Sequence, residues 1–542
     1  MHKLSPCPFI SNIRFLRAGC GCASALMVMM ISGIKPASAA PFYWDPSATN
    51  TTAGSGSGVW STSTANWYDT SSHVAWINGT SNNAYFQGAD GTYAITVAED
   101  LTLLNLNFNN SGYTLGASSA QTIALNGNIT VASGKTATVG SNVTISRAAN
   151  FSISGGGTLN LGVSGGSSTG AKLLDTQLAS PVTAYTLSIS GGSKVIVNNG
   201  GTLAGATSSS STTPYGSAIV VGGDSAGGAL QVESGGVVSV GSNNQLIIGS
   251  STNSGTLTIN GGQVNGATAV SGSSAQQNTL GLRFGSSNAA STSGTRTVNL
   301  NGGTLTVGQV FVYAAGTGGT DTFNFNGGTL RANASTASLS FIYGLTHAYV
   351  KSGGAIIDTN GFDINITQAL EHDVGLGSTM DGGLIKNGAG RLVLKSISTF
   401  TGSTIVNAGS LETSTTGTFG AGNVTVASGA ALVIGNSASI ADSANLVFSN
   451  TLGTTINLNF SGTETVNTLS SISGQFVATG TDYDAATLNH LFGDVAVFTG
   501  SGLLTVSSTA SIPEPSTYAL LFTGATLVVA VIRRRKSHAR RI

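Results

Sequence analysis

One motif recurs through most of this chain and limits what it can become: a short run of alternating apolar and polar residues, a glycine pair, then a second alternating run. The clearest copies are Val298-Asn299-Leu300-Asn301-Gly302-Gly303-Thr304-Leu305-Thr306-Val307 and Phe323-Asn324-Phe325-Asn326-Gly327-Gly328-Thr329-Leu330. Looser ones span Phe151–Leu161, Leu230–Val238, Leu257–Val264 and Thr425–Val433. A period of two sends alternate side chains to opposite faces of a strand, so Val, Ile, Leu and Phe point inward and Asn, Ser and Thr outward. The glycine pair allows the positive-φ bend between the two runs. Such a unit serves as an antiparallel hairpin or as the corner of a parallel β-helix.

Spacing favours the second. Glycine pairs begin at 235, 261, 302, 327 and 353, and looser corners follow at Gly388, Ala408 and Ser428, 20 residues apart. The first series has gaps of 26, 41, 25 and 26. Gaps of 20–26 fit one coil, and the 41 is a coil with an insertion or two short coils. The expected fold is all-β: a right-handed parallel β-helix over residues 101–507, roughly 16–20 coils and about 80–100 Å long.

Composition agrees. Only 8% of residues are charged and 76 are glycine. Stacking like charges on successive rungs is costly, so Asn, Ser and Thr occupy the outward positions. Formal neutrality hides an asymmetry, because ten basic residues lie in the two terminal segments. Residues 41–510 hold 11 basic and 20 acidic residues, a net charge of about −9. Nucleic-acid binding needs a basic stripe, and none is present.

Residues 41–100 differ, holding all four tryptophans, Trp44, Trp60, Trp67 and Trp76. They suit a compact cap over the first open edge of the solenoid. The other use for such rings is a sugar-stacking platform.

Residues 1–40 form a secretory signal. A basic n-region (His2, Lys3, Arg14, Arg17) precedes an apolar core around Ala25–Ile31. Ala37-Ser38-Ala39-Ala40 then supplies small residues for cleavage, with Ala37, Ala39 and Ala40 as the site residues. The three cysteines, Cys7, Cys20 and Cys22, all lie here, so the exported body carries no disulfide.

At the other end, residues 508–542 combine Pro513-Glu514-Pro515, an apolar run over 517–532 and the basic stop Arg533-Arg534-Arg535-Lys536. The run has 16 residues, near the lower limit of about 17 for a transmembrane helix, and the arginines belong on the cytoplasmic side. The tail resembles the PEP-CTERM sorting signal of Gram-negative bacteria. That resemblance implies an exosortase-type enzyme as processing partner and a transient inner-membrane anchor. It also implies delivery to the cell surface or extracellular matrix, in an exopolysaccharide or biofilm setting.

A second resemblance lies in Gly383–Glu412. Gly383-Leu384-Ile385-Lys386-Asn387-Gly388-Ala389-Gly390-Arg391-Leu392-Val393-Leu394 precedes Phe400-Thr401-Gly402-Ser403-Thr404-Ile405-Val406-Asn407-Ala408-Gly409-Ser410-Leu411. This is similar to the autotransporter-associated β-strand repeat, with Phe400 at the usual tyrosine position. The repeat implies a passenger-type surface β-helix. The sorting tail stands where an autotransporter has its barrel, so self-secretion is not implied.

Some parallel β-helices are polysaccharide lyases or hydrolases. The local acidic cluster is Asp358, Asp363, Glu371, His372 and Asp373, with Lys351 and Lys386 nearby. Glu371-His372-Asp373 reads as a solvated loop, and so does Asp482-Tyr483-Asp484. No phosphate loop, zinc spacing or nucleophile elbow occurs. The expectation is therefore a non-enzymatic structural or adhesive surface protein. It has no catalytic residue, metal or cofactor, and its partners are extracellular polysaccharide or a neighbouring cell surface.

Overall fold

In a computed structural model the described residues run from Ala39 to Ser508. They omit 164–169, 176–185, 206–217, 241–244, 267–280, 286–292, 313–317 and 337–339, and the single positions 50, 53, 148, 251, 476 and 478. The signal core, Ala37, all three cysteines, and Pro513, Glu514, Pro515, Arg533, Arg534 and Arg535 lie outside them. Among the described residues, no helix is long and apolar enough to cross a membrane.

The body is a parallel β-solenoid. Each regular coil lays down three strands, and like strands of successive coils hydrogen-bond in parallel. Tyr85, Asn107 and Thr130 follow one another on the first ladder. Ala137, Leu159, Val195 and Leu230 do so on the second, and Ile145, Leu173 and Leu203 on the third. The first ladder belongs to a 19-stranded sheet; the second and third share a 25-stranded sheet. They share it because Gly255–Asn265 and Thr295–Val307 run through the corner and serve both ladders.

These corners are where the glycine pairs sit. Gly235 and Gly303 have φ of 79° and 66°. A Cβ on Gly303 would fall 2.1 Å from the Gly262 carbonyl oxygen of the preceding coil. Backbone on backbone leaves no room for a side chain, which explains the residue choice. The 41-residue gap is a single coil, since Gln263 pairs directly with Thr304. The later corners at Gly388, Ala408 and Ser428 join the third ladder to the first instead. The two glycine series therefore mark two different edges of the coil.

Inward positions of every ladder meet in one apolar core running from Phe42 to Val506. At ~25 cal/mol per Å², each fully buried Leu, Ile or Phe stabilises by about 1.5–3 kcal/mol against its own ordering cost. The four tryptophans belong to this core, each at most 1% exposed. Trp44 meets Trp67 at 5.1 Å and 78°, and Trp60 meets Trp76 at 5.3 Å and 80°. Phe86 packs on the cluster and stacks on Phe108 of the next coil. With their faces covered, these tryptophans do not form a sugar platform.

Both poles end the parallel ladder with a reversed strand. At the N-terminal pole Ala65–Tyr68 runs antiparallel to Ala40–Trp44, and His73–Ala75 antiparallel to Ala65–Tyr68. At the C-terminal pole Gly480–Tyr483 runs antiparallel to Leu503–Val506, followed by the helix Ala485–Leu491. This C-terminal closure interrupts the repeat pattern expected through residue 507. Phe448, Phe492 and Phe498 fill it, with centroids 4.8 and 5.1 Å apart about Phe448.

Candidate functional site

The second ladder stops at Glu371–His372, which pairs with Tyr349 and Val350. From there to Thr463 the described strands belong to the first and third ladders alone. On the vacated side hydroxyls join scattered backbone bonds: Thr399 Oγ1 accepts from the His372 amide, and Thr418 Oγ1 bonds both the amide and the carbonyl of Ser398. Phe400, Phe419 and Ile440 turn inward there and keep the core filled.

Charged side chains collect where the ladder ends. His347 Nδ1 lies 2.9 Å from Glu371 Oε2, Lys351 Nζ 2.7 Å from Asp373 Oδ2, and His372 Nδ1 2.7 Å from Asp381 Oδ2. The His347 ring stacks on Tyr349 at 4.7 Å. Asp373 then caps the short 3₁₀ turn Val374–Leu376 by accepting from the Gly375 amide. Glu371-His372-Asp373 is thus not a solvated loop. It is a strand end whose every side chain has a partner, and Asp373 is buried.

Asp381 anchors the group, and sequence reasoning missed it. Its carboxylate accepts from the amides of Thr401 (2.7 Å), Gly402 (2.8 Å) and Gly383 (2.9 Å) and from the Thr401 hydroxyl. Burial pushes the Asp381 carboxyl up, but the Thr401, His372, Gly402 and Gly383 donors outweigh it and hold it below the ordinary carboxylate range. The legible signal was Asp381-Gly382-Gly383 one coil before Thr401-Gly402.

Of the other flagged residues, Asp358 pairs with Arg331 at 3.2 Å and Asp363 with Arg391 at 3.9 Å, both near the surface. Lys386 joins neither. It is fully buried beneath the corners of three successive coils. Nζ donates to the carbonyls of Asn387 (3.0 Å), Gly388 (2.7 Å) and Ala408 (2.9 Å), with Thr359 Oγ1 at 3.3 Å. Burial lowers its pKa to about 8. Asp482 accepts from the Thr463 hydroxyl, and Asp484 caps the polar helix by accepting from the Thr487 amide. Among the described residues, no group of three or more His, Cys, Asp or Glu is arranged to hold a metal ion.

Two further buried groups gave no usable motif in the sequence. Arg296 forms a buried ion pair with Asp321 and donates to the Ser250 and Ser293 carbonyls at 2.8 and 3.1 Å. Glu464 accepts from the Ile440 amide at 2.8 Å and the Ser439 amide at 3.3 Å. Burial raises the Glu464 pKa to about 7 despite those two bonds.

Outside, uncharged residues stack from coil to coil. Asn326 Nδ2 donates to Asn301 Oδ1 at 3.2 Å, and Asn301 Nδ2 to Asn260 Oδ1 at 3.0 Å. Asn324 reaches Asn299 at 2.8 Å, and Asn407 reaches Asn387 at 2.9 Å. Each amide both donates and accepts, so the row extends without charge repulsion.

Residues 384–412 match the family model described as the passenger-associated transport repeat. The match falls where the chain drops from three ladders to two, and the structure accounts for its polar positions. Lys386 pins the corners, Thr401 and Gly402 grip Asp381, and the buried Thr404 hydroxyl donates to the Phe419 carbonyl at 2.7 Å. Comparison with curated proteins and with solved structures finds no match.

Proposed function

We propose that this chain is an exported β-helical surface protein with a structural or adhesive role, not an enzyme. One observation carries the reading: a passenger-associated transport repeat is built into a parallel solenoid that carries rows of uncharged asparagines on its outside. The ligand class proposed is extracellular polysaccharide or a neighbouring cell surface, within an exopolysaccharide or biofilm matrix. Stacked amides at one rung spacing offer repeated donors and acceptors to a polymer with its own repeat. The winding is taken as right-handed, the hand that strand twist imposes on parallel crossovers.

Export by the signal over residues 1–40 and sorting by the PEP-CTERM tail belong to the same proposal. The 517–532 segment anchors the chain in the inner membrane until an exosortase-type enzyme processes it. Mass spectrometry of surface-extracted protein tests this, the expected C-terminus lying upstream of Arg533. An intact tail through Ile542 on surface protein overturns the processing step. Binding of the purified body to a polysaccharide panel tests adhesion, and absence of binding to every polymer and to intact cells overturns it. Against the lyase or hydrolase alternative stands the engagement of Glu371, His372 and Asp373 by neighbours. Polymer cleavage abolished by alanine at those positions would reinstate that alternative.

A further inference from the structure

The His372 imidazole touches acceptors at both ends. Nδ1 faces Asp381 Oδ2 at 2.7 Å, and Nε2 faces the Gly377 carbonyl at 3.0 Å. Neither a carboxylate nor a carbonyl can donate. The Thr401 hydroxyl lies 3.2 Å from Nδ1, but it accepts from the Asp381 amide at 3.1 Å and donates to the Asp381 carboxylate. A neutral imidazole carries one N–H. One of its two contacts would then be lone pair against lone pair. Only the imidazolium satisfies both.

Its placement gives this a consequence. Gly377 closes the turn that follows the last strand of the second ladder, and Asp381 is bonded to the next coil through Thr401 and Gly402. His372 therefore links the turn over residues 374–380 to the coil beyond it. The other bonds of that turn are local, the Gly375 amide to Asp373 and the Leu376, Gly377 and Thr379 amides to carbonyls three residues back, and Val374 and Met380 are 76% and 68% exposed.

We propose that His372 is a protonation-dependent latch closing the end of the second ladder, holding the 374–380 turn when charged and releasing it when neutral. The other ionisable groups around it are already paired. Lys351 serves Asp373, His347 serves Glu371, and Asp381 stays ionised through its amide donors. The Asp381 contact first, then the Gly377 carbonyl, holds the imidazole above its ordinary pKa. A raised value gives a definite sign. The latch is complete below the ordinary imidazole pKa and is lost as pH rises through the raised one. This inference is independent of export and of any ligand.

The test uses the full-length chain. Selective ¹⁵N-histidine labelling reports the protonation of each of the six histidines, and His372→Ala assigns the relevant signal. Both His372 nitrogens are expected to be protonated at pH 6, and one proton is lost with a midpoint above the ordinary imidazole pKa. Amide exchange over 374–381, corrected for intrinsic rates, is expected to accelerate on the order of tenfold or more as the imidazole titrates. The 323–332 corner should not change. In His372→Ala the turn exchanges fast at every pH. A midpoint at or below the ordinary imidazole pKa, or protection unchanged across the titration, overturns the proposal. Protection across the titration is read on the wild-type chain even if the variant does not fold.

Discussion

Lys386 offers the sharpest quantitative test, because burial and hydrogen bonding oppose each other there. Its ammonium is fully buried, and its pKa falls from 10.5 to about 8. At about 1.36 kcal/mol per unit, holding the charge inside costs on the order of 3 kcal/mol relative to the neutral amine. Against this stand the bonds to the Asn387, Gly388 and Ala408 carbonyls, of which Asn387 also receives the Thr359 amide. Lys386→Met removes the charge but strips the Gly388 and Ala408 carbonyls of this donor, at about 1–3 kcal/mol each. Near pH 7 the two effects largely cancel, with the variant modestly the less stable.

The pH dependence separates them. Between about 8 and 10.5 the unfolded lysine holds its proton while the folded one releases it, so wild-type stability rises with pH in that window. Below about 8 the contribution is lost. Subtracting the Lys386→Met curve removes other alkaline groups, including Tyr113, whose phenol burial pushes well above its ordinary pKa. Urea denaturation followed by circular dichroism at pH 7, 8, 9 and 10 gives the difference. Wild type should gain roughly 2–3 kcal/mol on the variant from pH 8 to 10. Parallel curves, or a relative loss by wild type, would refute the buried-cation account of this corner.

Glu464→Gln tests the opposite sign. A folded pKa raised from 4.5 to about 7 means that this group's contribution is full below 4.5 and lost as pH rises through 7. The variant should therefore gain about 3 kcal/mol on wild type between pH 4 and 8, read by urea midpoints. Trp67→Ala empties the centre of the N-terminal cluster and should cost about 3–5 kcal/mol, seen as early loss of tryptophan fluorescence on heating. Asn301→Ala cuts the amide row between Asn260 and Asn326 and should cost about 1 kcal/mol by urea titration, with the fold retained. Edman sequencing of exported protein should begin at Pro41, inside the first strand Ala40–Trp44; a start beyond Phe42 would contradict that strand's role.

Much of the architecture was legible because alternation is a property of single strands. Val298, Leu300 and Leu305 declare their direction without knowledge of their neighbours. Parallel pairing followed from the regular spacing of Gly302, Gly327 and Gly353. The number of ladders was not legible, since a corner inside a continuous strand, as at Gly261 and Gly302, looks like any other glycine pair. Nor was the end of the second ladder, where the Thr399 and Thr418 hydroxyls take the His372 and Ser398 amides beside the remaining backbone bonds. Lys386 and Glu464 show a conflict between two cues. Alternation with Leu384 and Val466 points both inward, whereas charge argues for solvent; alternation won because backbone groups met the charge.

The reversed strands at the two poles leave the middle free to vary. Each closure contacts only the coils beside it, so a whole coil added or removed between them passes no strain to either pole. Nearest-neighbour stacking makes each added turn a self-contained increment. A gene encoding such a chain can lengthen its product by duplicating one coil-sized unit of sequence, with reach set by copy number while both termini keep their chemistry. Coil length varies as well, with one coil of 41 residues between Gln263 and Thr304 and one of 20 between Ile385 and Ile405.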